Sequence, residues 1–310
     1  MLRCTAFPAA ILVAATLHAQ TAPDSVMLAK ADTLRAHQHY KEAYRIYDQL
    51  VERDALLVPA LSGRAACNTS AQQAMEDLQR ALTLRPGDFR SLIVRSTIYE
   101  NSRMYERAIA DLDLAIAAAP DTLRLLHAMN DQAWDRICLR EFDTGIAQLW
   151  RIQAIDSTDS RSMNSLALAY EEQGDTAAAY TQLLRFIASD TASTTGYHNM
   201  AYFLSRHNRH AEALRYWNMI ERKAGDDAYY LNNRGYTRLM LGDTKGALKD
   251  IQRSLRINKA NSYAYRNLGL TYQAMDRKDD ACDAFENAIA YGFTERFGDE
   301  VKRIHATYCH

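Results

Sequence analysis

Proline and glycine are scarce in this 310-residue sequence, which contains 5 of the first and 12 of the second. Average proteins contain about 5% proline and 7% glycine. An all-β sandwich of this length would need many more turn residues of these two types. Their scarcity therefore argues against such a fold and favours a mostly helical protein.

An excess of either charge is also missing, since 37 lysines and arginines stand against 38 aspartates and glutamates. This balance argues against a protein that neutralises a nucleic-acid backbone. Hydrophobic residues make up 48% of the chain and charged residues 24%, close to the averages for globular proteins. We therefore expect a folded protein rather than a disordered tail, a fibre or a multi-span membrane protein.

Sequence motifs of catalysis and of cofactor binding are absent. The chain has no G-x-S-x-G, no H-E-x-x-H, no phosphate-binding glycine loop and no dinucleotide fingerprint. Its densest histidine clusters are His37 with His39 and His207 with His210. No pattern of cysteines or carboxylates accompanies them, so we expect solvated turn histidines. The sequence predicts no enzymatic activity, no cofactor and no metal site.

The N-terminus has the three parts of a secretory signal peptide. Arg3 supplies the positive start, 6–17 is a short apolar stretch, and small residues lead to Ala19. Twelve apolar residues are too few to span a bilayer, which takes about 20. We predict a signal peptide over 1–19, with Ala22 as the other candidate cleavage site and a buried N-terminal helix as the alternative. The mature chain is then exported, periplasmic or extracellular in a bacterium, with no transmembrane segment.

Eight repeats become visible when small residues are aligned at a spacing of 34 residues or close to it. The first set of small residues is Ala43, Ala74, Ala108, Gly145, Ala179, Ala213, Ala247 and Ala281. A second set stands twelve residues earlier in each repeat: Ala31, Ser62, Ser96, Ala133, Ala167, Ala201, Gly235 and Gly269. A large apolar residue follows the first set by four positions: Tyr47, Leu78, Leu112, Leu149, Leu183, Trp217, Ile251 and Phe285.

This register predicts pairs of antiparallel helices, because small residues allow close approach and large ones fill the groove between pairs. Gly174 and Gly242 fall in the turns, where a left-handed conformation is expected. We predict an all-α, right-handed superhelical solenoid over 20–295 with a capping helix over 296–310. The eight repeats lie near 24–54, 55–88, 89–122, 126–159, 160–193, 194–227, 228–261 and 262–295.

The repeated residues resemble the tetratricopeptide repeat (TPR) family over roughly 24–295. The best copies are 262–295 and 160–193, and the former carries Tyr265, Leu268, Tyr272 and Ala288 at family positions. Three departures are visible: no repeat has the early tryptophan, the second repeat has a shortened turn, and three extra residues precede the fourth.

The resemblance implies a protein-binding surface on the first helix of each pair. The inner residues that it implies in the last four repeats are Asn164, Asn199, Tyr202, Tyr229, Asn232, Asn233, Tyr236, Tyr263, Arg266 and Asn267. Asparagine amides at a 34-residue spacing suit the backbone of an extended peptide, and tyrosines suit binding surfaces.

Two functions remain open. The first is an exported, non-enzymatic protein–protein interaction scaffold, monomeric or weakly dimeric, that binds a peptide segment or folded partner in its concave groove. The alternative is an envelope carbohydrate-associated binding protein in which tyrosines stack on sugar rings. A sugar site would need several aromatic residues at one spot, whereas a peptide groove distributes its contacts over several repeats. The observed distribution over four repeats favours the peptide.

One disulfide is expected near the C-terminus. Cys282 lies early in the last paired helix and Cys309 at the end of the cap. Antiparallel packing about a turn near 291–296 would bring these two ends together, and an exported protein can keep a disulfide. Cys67 and Cys138 are a whole repeat apart, too far for a bridge, which needs Cα atoms within about 7 Å.

Overall fold

A computed structural model describes residues 22–309. The predicted signal peptide, 1–19, lies outside these described residues. Within them, all regular secondary structure is helical, and none of the helices combines the length and apolar character needed to cross a bilayer.

The described residues form eighteen helices. They are α1 (Ala22–Ala36), α2 (Tyr40–Arg53), α3 (Val58–Cys67), α4 (Ala71–Leu84), α5 (Phe89–Asn101), α6 (Tyr105–Ala117), α7 (Thr122–Cys138), α8 (Phe142–Ile155), α9 (Ser160–Gln173), α10 (Thr176–Ser189), α11 (Thr195–Arg206), α12 (His210–Ala224), α13 (Ala228–Met240), α14 (Thr244–Ile257), α15 (Ser262–Gln273), α16 (Lys278–Ala290), α17 (Phe293–Phe297) and α18 (Glu300–Tyr308). The predicted all-α solenoid of helical pairs is confirmed.

The chain divides into two compact units, the first ending at Asp135 and the second beginning at Arg136. The first unit holds α1 to α6 and most of α7. Within the second, α9 packs on α10, α11 on α12, α13 on α14 and α15 on α16. Each successive pair, from α10 onward, also packs on the pair before it.

All 24 residues of the sequence register are buried in the structure. The reason is visible at Gly269, where an added Cβ would overlap the ring of Phe285 in the same repeat. Gly235 stands in the same relation to Ile251. The small residue of the first helix and the large residue of the second are therefore one packing unit, repeated along the chain.

Hairpin turns share one geometry that the sequence revealed only in part. Gly174 and Gly242 adopt positive φ angles of 88° and 82°, as predicted. Five further hairpins place a residue other than glycine there: Gln38, Arg103, Arg140, Asn208 and Asp276. In each of these seven turns the next N–H donates to a carbonyl five residues earlier, as in Asp175 to Tyr170 at 2.9 Å. This bond satisfies an end carbonyl of the first helix.

The two local departures in repeat length have simple structural forms. The residues inserted before the fourth repeat do not form a loop, because α7 begins at Thr122 and is 17 residues long. The shortened second repeat has a first helix of only 10 residues, Val58–Cys67. Insertion and deletion therefore change helix length and leave the buried register intact.

Arginine–aspartate pairs within three repeats are a feature that the sequence reading missed. Arg64 with Asp77, Arg95 with Asp111 and Arg234 with Asp250 each form two hydrogen bonds of 2.6 to 2.8 Å. Two parallel bonds to one carboxylate are the strong, directional form of this interaction. The pairs join the first helix to the second and orient the two helices of a repeat.

The C-terminal cap contains two helices instead of the single one predicted over 296–310. α17 is a five-residue helix that buries Phe293, and α18 follows it. Val301 of α18 has no exposed surface and packs with Phe285 and Ala288 of α16. A disulfide joins Cys282 to Cys309, with the two Cα atoms 5.7 Å apart. The cap therefore covers the apolar face of the last helical pair.

Candidate functional site

The predicted inner residues of the last repeats lie along α9, α11, α13 and α15. Six of the ten border two separate clefts. The first, which we call the polar cleft, encloses about 530 Å³ and is bordered by Thr195, His198, Asn199, Lys223, Asp227 and Tyr229. The second, the tyrosine cleft, encloses about 190 Å³. It is bordered by Tyr202, Ser205, Arg206, Asn208, Trp217, Asn233, Tyr236 and Tyr263.

Three of the four predicted tyrosines thus converge on one cleft, where the sequence suggested a distribution over several repeats. Tyr202 is 48% exposed and Tyr263 is 37% exposed, and Tyr236 is partly buried between them. Burial raises the pKa of Tyr263 further above its ordinary value. The fourth tyrosine, Tyr229, borders the polar cleft and is 66% exposed.

The asparagines do not form a ladder that is free to bind a ligand. Asn267 has no exposed surface, and its amide donates to the side-chain oxygen of Asn232 at 3.0 Å. Asn199 donates in the same way to Asn164 at 2.6 Å. Each of these bonds joins the first helices of adjacent repeats. The role predicted for Asn232 and Asn267 is therefore corrected, because burial keeps their side chains from reaching a ligand, while Asn199 and Asn233 border the clefts.

Arg266 is mostly buried and contacts several residues of the site. Its guanidinium lies 5.3 Å from the ring centroid of Tyr236 and 5.6 Å from that of Tyr263. It donates to Asn267 at 2.8 Å and forms an ion pair with Glu300. Cation–π contact with two rings fixes their orientation. Arg266 thus positions the tyrosines and has its charge neutralised from within the chain.

Residues of the cap reach the site, which the sequence gave no reason to expect. Phe297 of α17 packs edge-on against Tyr263 with ring centroids 5.2 Å apart, and it remains 53% exposed. Glu300 of α18 supplies the carboxylate that binds Arg266. These residues lie after the last repeat, so the repeat pattern does not predict their positions. Only the tertiary structure shows that they contact α15.

His207 and His210 make side-chain contacts, whereas the sequence analysis expected both to be solvated turn histidines. His207 lies 3.1 Å from a carboxylate oxygen of Glu171, and its ring contacts that of Phe203 in a tilted arrangement with centroids 4.5 Å apart. His210 is partly buried and meets the edge of Tyr236. His37 and His39, in contrast, are exposed. Residues 22–309 contain no group of three or more His, Cys, Asp or Glu side chains that could hold a metal ion.

The fold defines a class: a helical-repeat protein built from successive pairs of helices. Two family models for the tetratricopeptide repeat match the chain, one at residues 89–122 and one at residues 263–291. Two segments of the chain thus match tetratricopeptide repeats, and the described residues share the helical-pair fold of a solved tetratricopeptide repeat protein. A search of curated proteins found no match.

Solved structures with similar folds have low sequence identity to this chain, and one of them is a tetratricopeptide repeat protein. One, from Parabacteroides merdae ATCC 43184, is 17% identical with a TM-score of 0.61, covering 84% of this chain and 98% of that one. A chain from the APC/C hetero-tetramer Cut9–Hcn1 is 13% identical with a TM-score of 0.58, covering 90% of this chain and 55% of that one. At these identities the likeness shows the fold alone.

Proposed function

We propose that this protein is an exported, non-enzymatic interaction scaffold that binds a peptide segment of a protein partner along α11, α13 and α15. The observation that carries the proposal is the pair of neighbouring clefts on these three helices, bordered by exposed tyrosines and by Asn199 and Asn233. Tyrosine supplies a large rigid face at low entropic cost, and amides bond to peptide groups. Two clefts in succession suit an extended segment with side chains in both.

The alternative, an envelope carbohydrate-binding protein, takes some support from the convergence of three tyrosines. It is weaker because the polar side chains near those rings are already bonded within the protein. Ser205 lies 3.0 Å from Thr237, and Arg206 forms an ion pair with Glu171 at 3.3 Å. A sugar presents several hydroxyls that each need a partner on binding.

Selection of random linear peptides displayed on phage tests the peptide proposal. We expect enrichment of peptides on the wild-type protein and loss of their binding by the double variant Tyr202→Ala/Tyr229→Ala, which removes one exposed ring from each cleft. Each substitution at the centre of an interface costs about 1–3 kcal/mol of binding free energy, or roughly 5- to 150-fold in affinity.

The matched control is Tyr40→Ala/Tyr291→Ala, which removes two exposed tyrosines that border neither cleft. Both variants must first unfold at a temperature close to that of the wild type. Peptides that bind the first variant as tightly as the control would contradict the proposal and place binding on another surface.

Export is proposed from the N-terminal pattern of 1–19 together with the cysteine pair at 282 and 309. Expression of the full chain in a bacterium, followed by intact-mass measurement of the periplasmic or secreted fraction, is expected to give a chain that lacks the first 19 residues. Its mass should be two hydrogens below that of the reduced chain, and Cys309→Ser should abolish that difference. A full-length protein retained in the cytoplasm would contradict export.

A further inference from the structure

The tyrosine cleft has the size of a single ring. It encloses about 190 Å³, and an apolar protein cavity of roughly 150 Å³ is large enough to bind benzene. Three tyrosines surround the space, and the buried indole of Trp217 borders it. Aromatic walls of this kind favour another ring in an edge-on or offset arrangement.

Charges around the cleft are neutralised within the chain. Arg206 is bonded to Glu171 at 3.3 Å, and His207 also lies 3.1 Å from that carboxylate. Arg266, behind Tyr236 and Tyr263, is bonded to Glu300. A charged ligand group would have to displace one of these carboxylates or lose its own hydration without a new partner. The occupant that suits the cleft is therefore uncharged.

Polar groups at the cleft are too few for a ligand with many hydroxyls. The Ser205 hydroxyl is bonded to Thr237, and Thr237 also accepts from the indole N–H of Trp217 at 3.1 Å. The side-chain oxygen of Asn233 accepts from Asn232 at 3.4 Å. The hydroxyls of the three tyrosines and the Asn233 amide remain at the edge of the cleft, where they can bond to the peptide groups that flank a side chain.

From these three features we propose that the tyrosine cleft binds one uncharged aromatic side chain of the partner peptide, which acts as its anchor. The proposal rests on the peptide-binding function given above and adds the chemistry of the residue that is recognised. Phenylalanine and tyrosine fit the ring-sized space, place their faces and edges against Tyr202, Tyr236 and Tyr263, and bring no charge into it. The rest of the peptide would then extend toward the polar cleft.

Three small probes test the proposal without a known partner: N-acetylphenylalanine amide, N-acetylleucine amide and methyl glucopyranoside. Binding is followed by NMR of the protein carrying ring-labelled tyrosine. We expect saturable shifts of the Tyr202, Tyr236 and Tyr263 ring signals with the phenylalanine amide, and affinity weaker by about tenfold for the leucine amide. Tyr202→Ala should reduce phenylalanine amide binding by a similar factor, and Tyr40→Ala, with the same exposed fraction, should not.

Each other outcome overturns the proposal. Shifts caused by the glucopyranoside and not by the phenylalanine amide would make the cleft a sugar site. Equal binding of the leucine and phenylalanine amides would make it a general apolar pocket, and an absence of shifts would exclude a ring site. The experiments distinguish a wrong anchor proposal from a wrong peptide-binding proposal. If only the anchor proposal is wrong, phage-selected peptides without aromatic residues will still bind the wild type and will not bind Tyr202→Ala/Tyr229→Ala.

Discussion

Replacement of Trp217 by alanine is expected to lower the free energy of unfolding by about 3–5 kcal/mol, as is usual when a buried large side chain is truncated. Trp217 has no exposed surface and packs in the cluster that contains Leu183, Leu204 and Tyr230. Its indole N–H donates to Thr237 at 3.1 Å, so the substitution also removes a buried hydrogen bond between α12 and α13. Urea unfolding followed by circular dichroism measures the loss.

Two controls separate packing from the loss of a tryptophan as such. Trp150→Ala removes a tryptophan that is 39% exposed and bonded to the Tyr170 hydroxyl, and we expect a cost below about 1.5 kcal/mol. Trp217→Phe keeps a ring and loses the bond to Thr237, with an intermediate cost. An unchanged unfolding curve for Trp217→Ala would show that the repeat register is wrong in the sixth repeat.

Asp135→Asn is expected to stabilise the protein at pH 8 and to have little effect near pH 4. Asp135 is wholly buried, and among the described residues neither of its carboxylate oxygens has a hydrogen-bond partner. Burial, together with the charges of Glu100 and Asp131, raises its pKa to about 8. The amide cannot ionise, so it avoids the cost of a buried charge.

The pH dependence expected for Asp135→Asn follows from the linkage between protonation and folding. The folded protein holds the Asp135 proton up to about pH 8, whereas an unfolded aspartate releases it near pH 3.9. Wild-type stability is therefore highest below the unfolded pKa and falls as the pH rises through the folded one. Over that window the advantage of Asp135→Asn should grow to on the order of 5 kcal/mol.

Unfolding free energies measured at several pH values between about 4 and 9 test this expectation. Asp283→Asn is the control, because it makes the same chemical change at an exposed position on α16. A constant difference between Asp135→Asn and wild type across this range would show that Asp135 does not take up a proton on folding.

The sequence alone determined the architecture, because a 34-residue period of small and large residues permits essentially one solution. Gly269 and Phe285, for example, can be recognised as a packing pair before any coordinates exist, and the structure buries both. The antiparallel direction of α16 and the cap likewise suggested that Cys282 and Cys309 would meet. These features depend on spacing along the chain, which the sequence records directly.

Tertiary structure decided which side chains of the binding surface reach solvent. Asn267 and Asn233 occupy equivalent positions in adjacent repeats, but only Asn267 is fully buried. Its side chain is bonded to Asn232. Phe297 and Glu300 contact Tyr263 and Arg266 because the cap folds back over α15. Such contacts depend on the distance between helices and on the path of a segment outside the period, and neither quantity is encoded in residue spacing.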